Sequence, residues 1–159
     1  MTQVERLPRM TEEEVDGLIQ RQYLCRIAFN DKSHPYIAPF QYAYVDGSLY
    51  FHFTDYGRKM KLIENNPKIC IEIEELGHDL RDFMFVVLRG SLERVKNLAE
   101  REKALLALAD IGRKRLSPRF LAAHGLPEGS GWGDMTVKKP LILLKLIDVE
   151  ESFGLKSPY

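Results

Sequence analysis

The stretch from Ser48 to Glu74, SLYFHFTDYGRKMKLIENNPKICIEIE, constrains the fold most, because it predicts a strand, a turn, a short helix and a second strand in direct succession. Its first seven residues alternate in character, as a half-buried strand requires, with Leu49, Phe51 and Phe53 on one face and Tyr50, His52 and Thr54 on the other. Gly57 permits a tight turn, and the predicted helix that follows ends before the breaker Pro67.

Three cations, Arg58, Lys59 and Lys61, stand at the start of this predicted helix. The positive end of the helix dipole disfavours each of them by a few tenths to about 1 kcal/mol. A bound anion would reverse that penalty, because the free amides of a helix start, a guanidinium and an ammonium together bind phosphate. A solvated surface helix with poor charge placement is the alternative, and the local chemistry alone does not decide between the two.

Composition predicts one compact domain over residues 1–159, since the 159 residues are 45% hydrophobic and 29% charged. Within it, residues 1–10 are expected to form an extended arm and residues 152–159 a tail. The 23 basic and 23 acidic residues cancel, which argues against general binding to nucleic acid or to anionic membranes. The longest apolar runs fall far short of the roughly 20 residues of a membrane helix, and no signal peptide is visible.

Metal and disulfide chemistry have little support in the sequence. The histidines, at positions 34, 52, 78 and 124, lack a paired spacing with cysteine or carboxylate residues, so no metal site is predicted. Cys25 and Cys70 lie in apolar strand-like runs, which favours buried reduced thiols and a cytoplasmic location.

The rest of the chain predicts an antiparallel meander that closes as a barrel. The expected strands are Leu24–Phe29, Tyr36–Val45, Ser48–Thr54, Lys68–Glu74, Phe83–Val95 and Leu141–Val149. One helix is expected from Glu12 to Gln22 behind a capping box, and another from Leu98 to Ile111, ended by Gly112.

Two residues of the second predicted strand bear on a binding site. Pro39 cannot donate a ladder hydrogen bond, so it marks an edge, a bulge or a break in pairing. Gln41 is, on the residues alone, an ordinary solvent-facing strand residue. Elsewhere, Trp132 lies among glycines, and its ring must pack against the core or against a ligand.

The order of these motifs resembles the pyridoxamine 5'-phosphate oxidase-like superfamily of FMN-binding split barrels. YFHFTDYGRKMKLIENNPKICIEIE is similar to the family's flavin phosphate segment, in which strand, small loop, Arg-Lys pair, helix, Asn-Pro and strand follow each other. HPYIAPFQYAYVDGSLYFH and DFMFVVLRGSLERV resemble neighbouring strands of the nitroimidazole resistance (5-nitroimidazole reductase)-like branch. The resemblance extends over about residues 10–110.

This resemblance implies a mainly β fold with flanking helices, a six-stranded antiparallel split β-barrel of the FMN-binding type. It also implies a homodimer with FMN at the subunit interface. Arg58 and Lys59 would hold the phosphate, with Thr54 and the turn amides completing its hydrogen bonds. The other implied cofactor-binding residues are Pro39, Phe40, Gln41 and Tyr42 along the isoalloxazine ring, His52 and Phe53 beside it, and Trp132 as a cover.

The implied activity is that of an FMN-dependent oxidoreductase acting on nitroaromatic or related small molecules. Electrons would come from a reduced nicotinamide cofactor or a reductase. GLKSPY stands where the Arg and His pair of pyridoxamine phosphate oxidase proper would follow the last strand, so that activity is not expected. The alternatives are a flavin or haem sensor with His52 as axial ligand, a deazaflavin-dependent reductase, and a structural dimer without cofactor. No catalytic side chain is singled out.

Overall fold

The structure, a computed structural model, describes residues 4–123, 131, 134 and 142–159. This part of the chain forms a seven-stranded antiparallel sheet with flanking helices, which confirms the predicted mainly β fold class. The strands are β1 Leu24–Phe29, β2 Tyr36–Gln41, β3 Ala43–Val45, β4 Ser48–Phe53, β5 Lys68–Leu76, β6 Phe83–Arg94 and β7 Ile142–Lys156. The helices are α1 Glu12–Arg21, α2 Arg58–Asn65, α3 Leu98–Arg115 and α4 Arg119–Ala123.

The sheet curls into a half-barrel, because its two edge strands are consecutive in the chain. The strand order is β2-β1-β5-β6-β7-β4-β3, and only Tyr42 separates β2 from β3. The prediction of six strands was therefore wrong by one, since the expected strand Tyr36–Val45 divides. Gln41, Tyr42 and Ala43 are all buried in succession, which a regular strand with alternating faces cannot achieve. At the division the Tyr42 amide donates to the Tyr23 carbonyl at 3.0 Å.

Pro39 lies on an edge strand, as predicted, and is aligned with Arg26 of β1. Because β2 pairs with β1 alone within the described sheet, its other side carries backbone groups that no neighbouring strand occupies. This side of β2 is available to line a ligand site.

The last strand is longer than predicted. β7 continues to Lys156, and residues 152–156, expected to form a tail, pair with β6. β6 and β7 pair in two stretches, one on each side of Gly90. Between them the register shifts, and Asp148 takes a positive φ of 49°. Because Gly90 has no side chain, the Ile147 carbonyl can approach it closely, and the long strand bends there without leaving the sheet.

The three predicted helices follow their sequence signals except at one end, whereas α4 was not predicted. In α1 the Thr11 hydroxyl accepts from the Glu14 amide and the Glu14 carboxylate accepts from the Thr11 amide, which confirms the capping box. The prediction that Gly112 ends α3 was wrong. Gly112 is buried inside the helix, which continues to Arg115. The three basic residues of the last turn favour this extension, since they complement the negative end of the helix dipole.

Apolar packing divides into two clusters on opposite sides of the sheet. The larger cluster fills the curled sheet and includes Ile27, Phe51, Ile71, Val86 and Leu144. The smaller one holds α3 against β3, β4 and β7 and includes Ala43, Tyr50, Leu105, Leu108 and Leu143. Among the described helices, none is both long enough and apolar enough to traverse a bilayer.

We expect Gly90→Ala to destabilise the fold. An added Cβ would lie 2.7 Å from the Ile147 carbonyl oxygen, and because that atom is backbone, the bulge itself would have to shift. The expected loss is about 1–3 kcal/mol in the free energy of unfolding, measured by urea denaturation.

Gly17→Ala is the matched control. An added Cβ there would lie 3.2 Å from the flexible end of Arg21, and alanine is the better helix former, so stability should stay the same or rise by up to about 1 kcal/mol. Equal unfolding midpoints for the two variants would contradict the proposed role of the bulge.

Candidate functional site

A cavity of about 530 Å³ lies beside β2, between the end of β4, the start of α2 and the short helix α4. Its volume is in the range of small-molecule sites. Eight of the ten residues predicted to bind a cofactor line it: Pro39, Phe40, Gln41, His52, Phe53, Thr54, Arg58 and Lys59. The other lining residues are Leu24, Tyr36, Tyr56, Gly57, Met60 and Phe120.

Of the remaining two predicted residues, Tyr42 does not line this cavity. Tyr42 is 1% exposed, and its hydroxyl donates to the Ile19 carbonyl at 2.7 Å, so it secures the end of α1. Trp132 lies outside the described residues, and its predicted role stays a prediction.

The start of α2 carries an unusual concentration of positive charge. Its N-cap is Gly57, with φ 95° and no side-chain hydrogen bond to the helix, and its first turn contains no acidic residue. The first amides of a helix have no intrahelical acceptor, so they add partial positive charge to Arg58 and Lys59 beside them. The arrangement can bind an anionic group of a ligand in the cavity.

Arg58 is held on two sides. Its guanidinium lies over the Tyr36 ring, 4.5 Å from the centroid, and its Nη2 is 2.7 Å from Oδ2 of Asp31. Arg58 is in turn the largest influence on Asp31, whose pKa it lowers through this hydrogen bond. The carboxylate therefore stays ionised at neutral pH.

Flat aromatic rings form the wall next to Lys59. The Lys59 ammonium lies 4.9 Å from the centroid of the Phe40 ring. Phe40 in turn stacks on Phe53, with centroids 4.7 Å apart and planes at 26°. Such a surface suits a planar, apolar ligand whose charged group points toward α2.

Thr54 lines the cavity and also makes a local hydrogen bond, and its predicted contact with a phosphate stays a prediction. Its hydroxyl donates to the Tyr56 carbonyl at 3.0 Å and so stabilises the turn that leads into Gly57. Because the hydroxyl proton is used in this bond, the hydroxyl oxygen can only accept hydrogen bonds from other groups.

At the far end of the cavity, Gln41 carries a buried acceptor to which no residue in the described part of the chain donates. The solvent-facing position expected for Gln41 on the residues alone was wrong, because α3 packs over the end of β2 and leaves the residue 3% exposed. Its Nε2 donates to the Leu108 carbonyl at 2.8 Å, whereas no described residue donates to its Oε1. The Leu108 carbonyl also determines the orientation of the Gln41 amide, because a flipped amide would place Oε1 against the carbonyl oxygen.

His52 is buried, 9% exposed, and lines the same cavity. The antiparallel β3–β4 pairing places Ala43 opposite Tyr50. His52 lies two residues after Tyr50 and Gln41 two residues before Ala43, so the same register brings His52 close to Gln41. No group of three or more His, Cys, Asp or Glu side chains in the described part of the chain is placed to hold a metal ion.

Sequence reasoning missed Tyr36 and Phe120 as cavity residues. Tyr36 had a signal, since it opens the strand that carries Pro39 and pairs with Phe29 at the end of the β1–β2 hairpin. Phe120 had no sequence signal, because it belongs to α4, which begins nearly eighty residues after the end of β2.

We expect Gln41→Leu to leave the stability of the ligand-free protein within about 1 kcal/mol, because removing an unpaired buried acceptor offsets the lost hydrogen bond to Leu108. Tyr42→Phe is the comparison, since it removes one satisfied hydroxyl and should cost about 1 kcal/mol. Urea denaturation measures both. A loss for Gln41→Leu well above that for Tyr42→Phe would contradict an unpaired Oε1.

Comparison with known proteins supplies the family. The model of the family described as pyridoxamine 5'-phosphate oxidase matches residues 11–122. The uncharacterized protein RA0666 of Rhizobium meliloti (strain 1021) is 31% identical over 86 residues, which are 54% of this chain and 56% of that protein. The match thus spans about half the length of this relative.

Solved structures agree on the fold. An FAD-binding protein from Mesorhizobium loti is 21% identical, with a TM-score of 0.69 over 94% of this chain and 97% of that one. A candidate 5-nitroimidazole antibiotic resistance protein from Bacteroides thetaiotaomicron is 17% identical, with a TM-score of 0.60 over 100% and 99%. A heme binding protein from Mycobacterium smegmatis is 15% identical, with a TM-score of 0.67 over 90% of this chain and 52% of that one.

At these identities the structural likeness shows the split-barrel fold alone. The family model covers most of the chain, including β1 to β6 and the whole of α2. The superfamily predicted from the order of the motifs is confirmed, and the chain belongs to the pyridoxamine 5'-phosphate oxidase family.

Proposed function

We propose that this protein binds flavin mononucleotide in the cavity beside β2 and acts as a flavin-dependent oxidoreductase. The observation that carries the proposal is the start of α2, where an uncapped helix end and two cations line a cavity with no acidic residue in the helix's first turn. An anion with several acceptor oxygens satisfies the amides and both cations at once. The phosphate of the cofactor is such a group.

The rest of the cavity fits the ring system. Phe40, backed by the buried Phe53, offers an apolar wall, and the unpaired side of β2 offers backbone groups beside Pro39. Gln41, whose amide is held by the Leu108 carbonyl, lines the end of the cavity where the polar edge of the ring would lie. Each of these features has its counterpart on one ligand.

When bound, the flavin supplies hydride and electron transfer, and the residues of this chain bind and orient it. Arg58 and Lys59 hold the charged end, while the aromatic wall excludes water from one face of the ring. The substrate would be a nitroaromatic or related small molecule, reduced with electrons from a reduced nicotinamide cofactor or a separate reductase in the cytoplasm. The protein would work as a homodimer with the cofactor at the subunit interface.

The names of structural relatives support this choice without deciding it, since one is called an FAD-binding protein and another a candidate nitroimidazole resistance protein. A deazaflavin cofactor shares the planar ring with its N–H edge and fits the same residues. Retention of FMN against deazaflavin, each added separately before gel filtration, distinguishes these two cofactors by their absorbance.

Arg58→Ala and Lys59→Ala should each weaken FMN binding about 10- to 100-fold, since a hydrogen bond to a charged group contributes about 1.5–3 kcal/mol. Quenching of FMN fluorescence on titration with the protein measures the affinity. Affinities unchanged in both variants would remove the start of α2 from the site.

Lys61→Ala is the matched control for these variants. It removes the same charge from the same helix, but Lys61 is exposed and does not line the cavity. Its FMN affinity should fall by no more than about twofold, because an exposed charge at this distance is screened by salt. A loss as large as that of Lys59→Ala would indicate a general charge effect instead of a phosphate site.

Haem binding is the second candidate, because the buried His52 lines the cavity and an imidazole is a common axial ligand. A heme binding protein is among the structural relatives. On this alternative, the protein mixed with haemin and passed through gel filtration shows an intense Soret band that His52→Ala shifts or abolishes. On the flavin proposal the protein retains FMN instead, and His52→Ala leaves FMN binding within a few-fold.

A further inference from the structure

We infer that Asp31, in the loop between β1 and β2, is a positioning residue that holds the Arg58 guanidinium ready for the phosphate group of the ligand. The inference rests on the proposed function, because it concerns the same anion site. Asp31 does not line the cavity and would act only through Arg58.

Both oxygens of the Asp31 carboxylate are engaged. Oδ1 accepts from the Lys32 amide at 2.7 Å, and Oδ2 accepts from Arg58 Nη2 at 2.7 Å. The backbone of the loop thus orients the carboxylate before it contacts the guanidinium. The side chain of Asp31 is 22% exposed, against 62% for Arg58, so the more buried partner determines where the pair lies.

The same hairpin supports Arg58 from a second direction. Tyr36, whose ring lies under the guanidinium, is paired with Phe29 at the end of the β1–β2 ladder, and the two rings have centroids 6.0 Å apart. Tyr36 and Asp31 therefore belong to the same end of the β1–β2 hairpin. Tyr36 contacts the face of the guanidinium, and Asp31 accepts from its Nη2.

A guanidinium carries five donors in a rigid fork, and Asp31 uses one edge of it. The other donors stay available for a phosphate. Without Asp31 the exposed arginine would have to lose its rotamer freedom on binding, at a helix end whose dipole repels it. The carboxylate also subtracts one charge from the site, but Lys59 and the amides of α2 remain to attract the anion.

The test compares FMN with riboflavin, which has the same ring system but no phosphate. Asp31→Ala should weaken FMN binding about 2- to 10-fold, as expected for loss of one preorganised side chain, and leave riboflavin binding unchanged. Asp31→Asn should lose less, because the amide oxygen still accepts from Arg58. In an Arg58→Ala background, Asp31→Ala should have no further effect.

Asp79→Asn is the control. Asp79 is an exposed carboxylate paired with Arg81 at 3.6 Å, away from the cavity, so this variant removes one negative charge without touching the site. Its ratio of FMN to riboflavin affinity should equal that of the wild type. Unchanged riboflavin binding also shows that each Asp31 variant is folded.

Three outcomes would overturn the inference. Unchanged FMN affinity in Asp31→Ala would show that Arg58 needs no support, and tighter FMN binding would show that Asp31 competes with the phosphate. In both cases a wild-type preference for FMN over riboflavin would leave the proposed phosphate site intact. Equal wild-type affinities for FMN and riboflavin would contradict both the proposed phosphate site and the role of Asp31.

Discussion

The curl of the sheet depends on one constraint, which is that its two edge strands are consecutive in the chain. Since β2 and β3 lie at opposite ends of the strand order with only Tyr42 between them, the ends of the sheet must meet at that residue. Tyr42 is fixed there by two hydrogen bonds, from its amide to the Tyr23 carbonyl and from its hydroxyl to the Ile19 carbonyl. These bonds attach the meeting point of the sheet to the end of α1.

The cavity exists because the curled sheet brings β2 near β4 without a ladder of hydrogen bonds between these two strands. β2 and β4 face each other through side chains, as the stacked Phe40 and Phe53 rings show, but the described sheet has no ladder between them. An edge strand in that position leaves backbone groups facing a space lined by aromatic rings. The site therefore follows from the split in the barrel, and α2 closes one end of it.

Charge placement distinguishes α2 from the other long helices of the chain. α1 begins with three glutamates behind a capping box, and α3 begins with an Asn97 cap and Glu100 in its first turn. α2 has neither a side-chain cap nor an acidic residue at its start. Because two helices of this chain obey the electrostatic rule, the exception at α2 supports our proposal that an anionic ligand binds there.

Most strands and the start of α2 could be predicted from sequence, because alternation, glycine turns and proline breaks are local signals. The features that could not be predicted depend on contacts between distant residues. Gln41 is buried because α3, more than sixty residues later, covers the end of β2 and supplies the Leu108 carbonyl. The extension of β7 depends on Gly90 of another strand, whose missing side chain admits the bend. Local pattern predicted the cations at the start of α2, but tertiary packing determined what lies at the other end of the cavity.

The two ends of the cavity differ in their chemistry. At one end the start of α2 combines two cations with a helix start that has no side-chain cap, and the Asp31 carboxylate offsets only one of these charges. At the other end lies Gln41, whose amide is held by the Leu108 carbonyl. Along β2, the five steps from Tyr36, under Arg58, to Gln41 span about 16 Å at the usual strand rise. We therefore propose an elongated ligand with an anionic group at one end and a polar ring edge at the other, as a flavin has, rather than one whose charge lies at a single point.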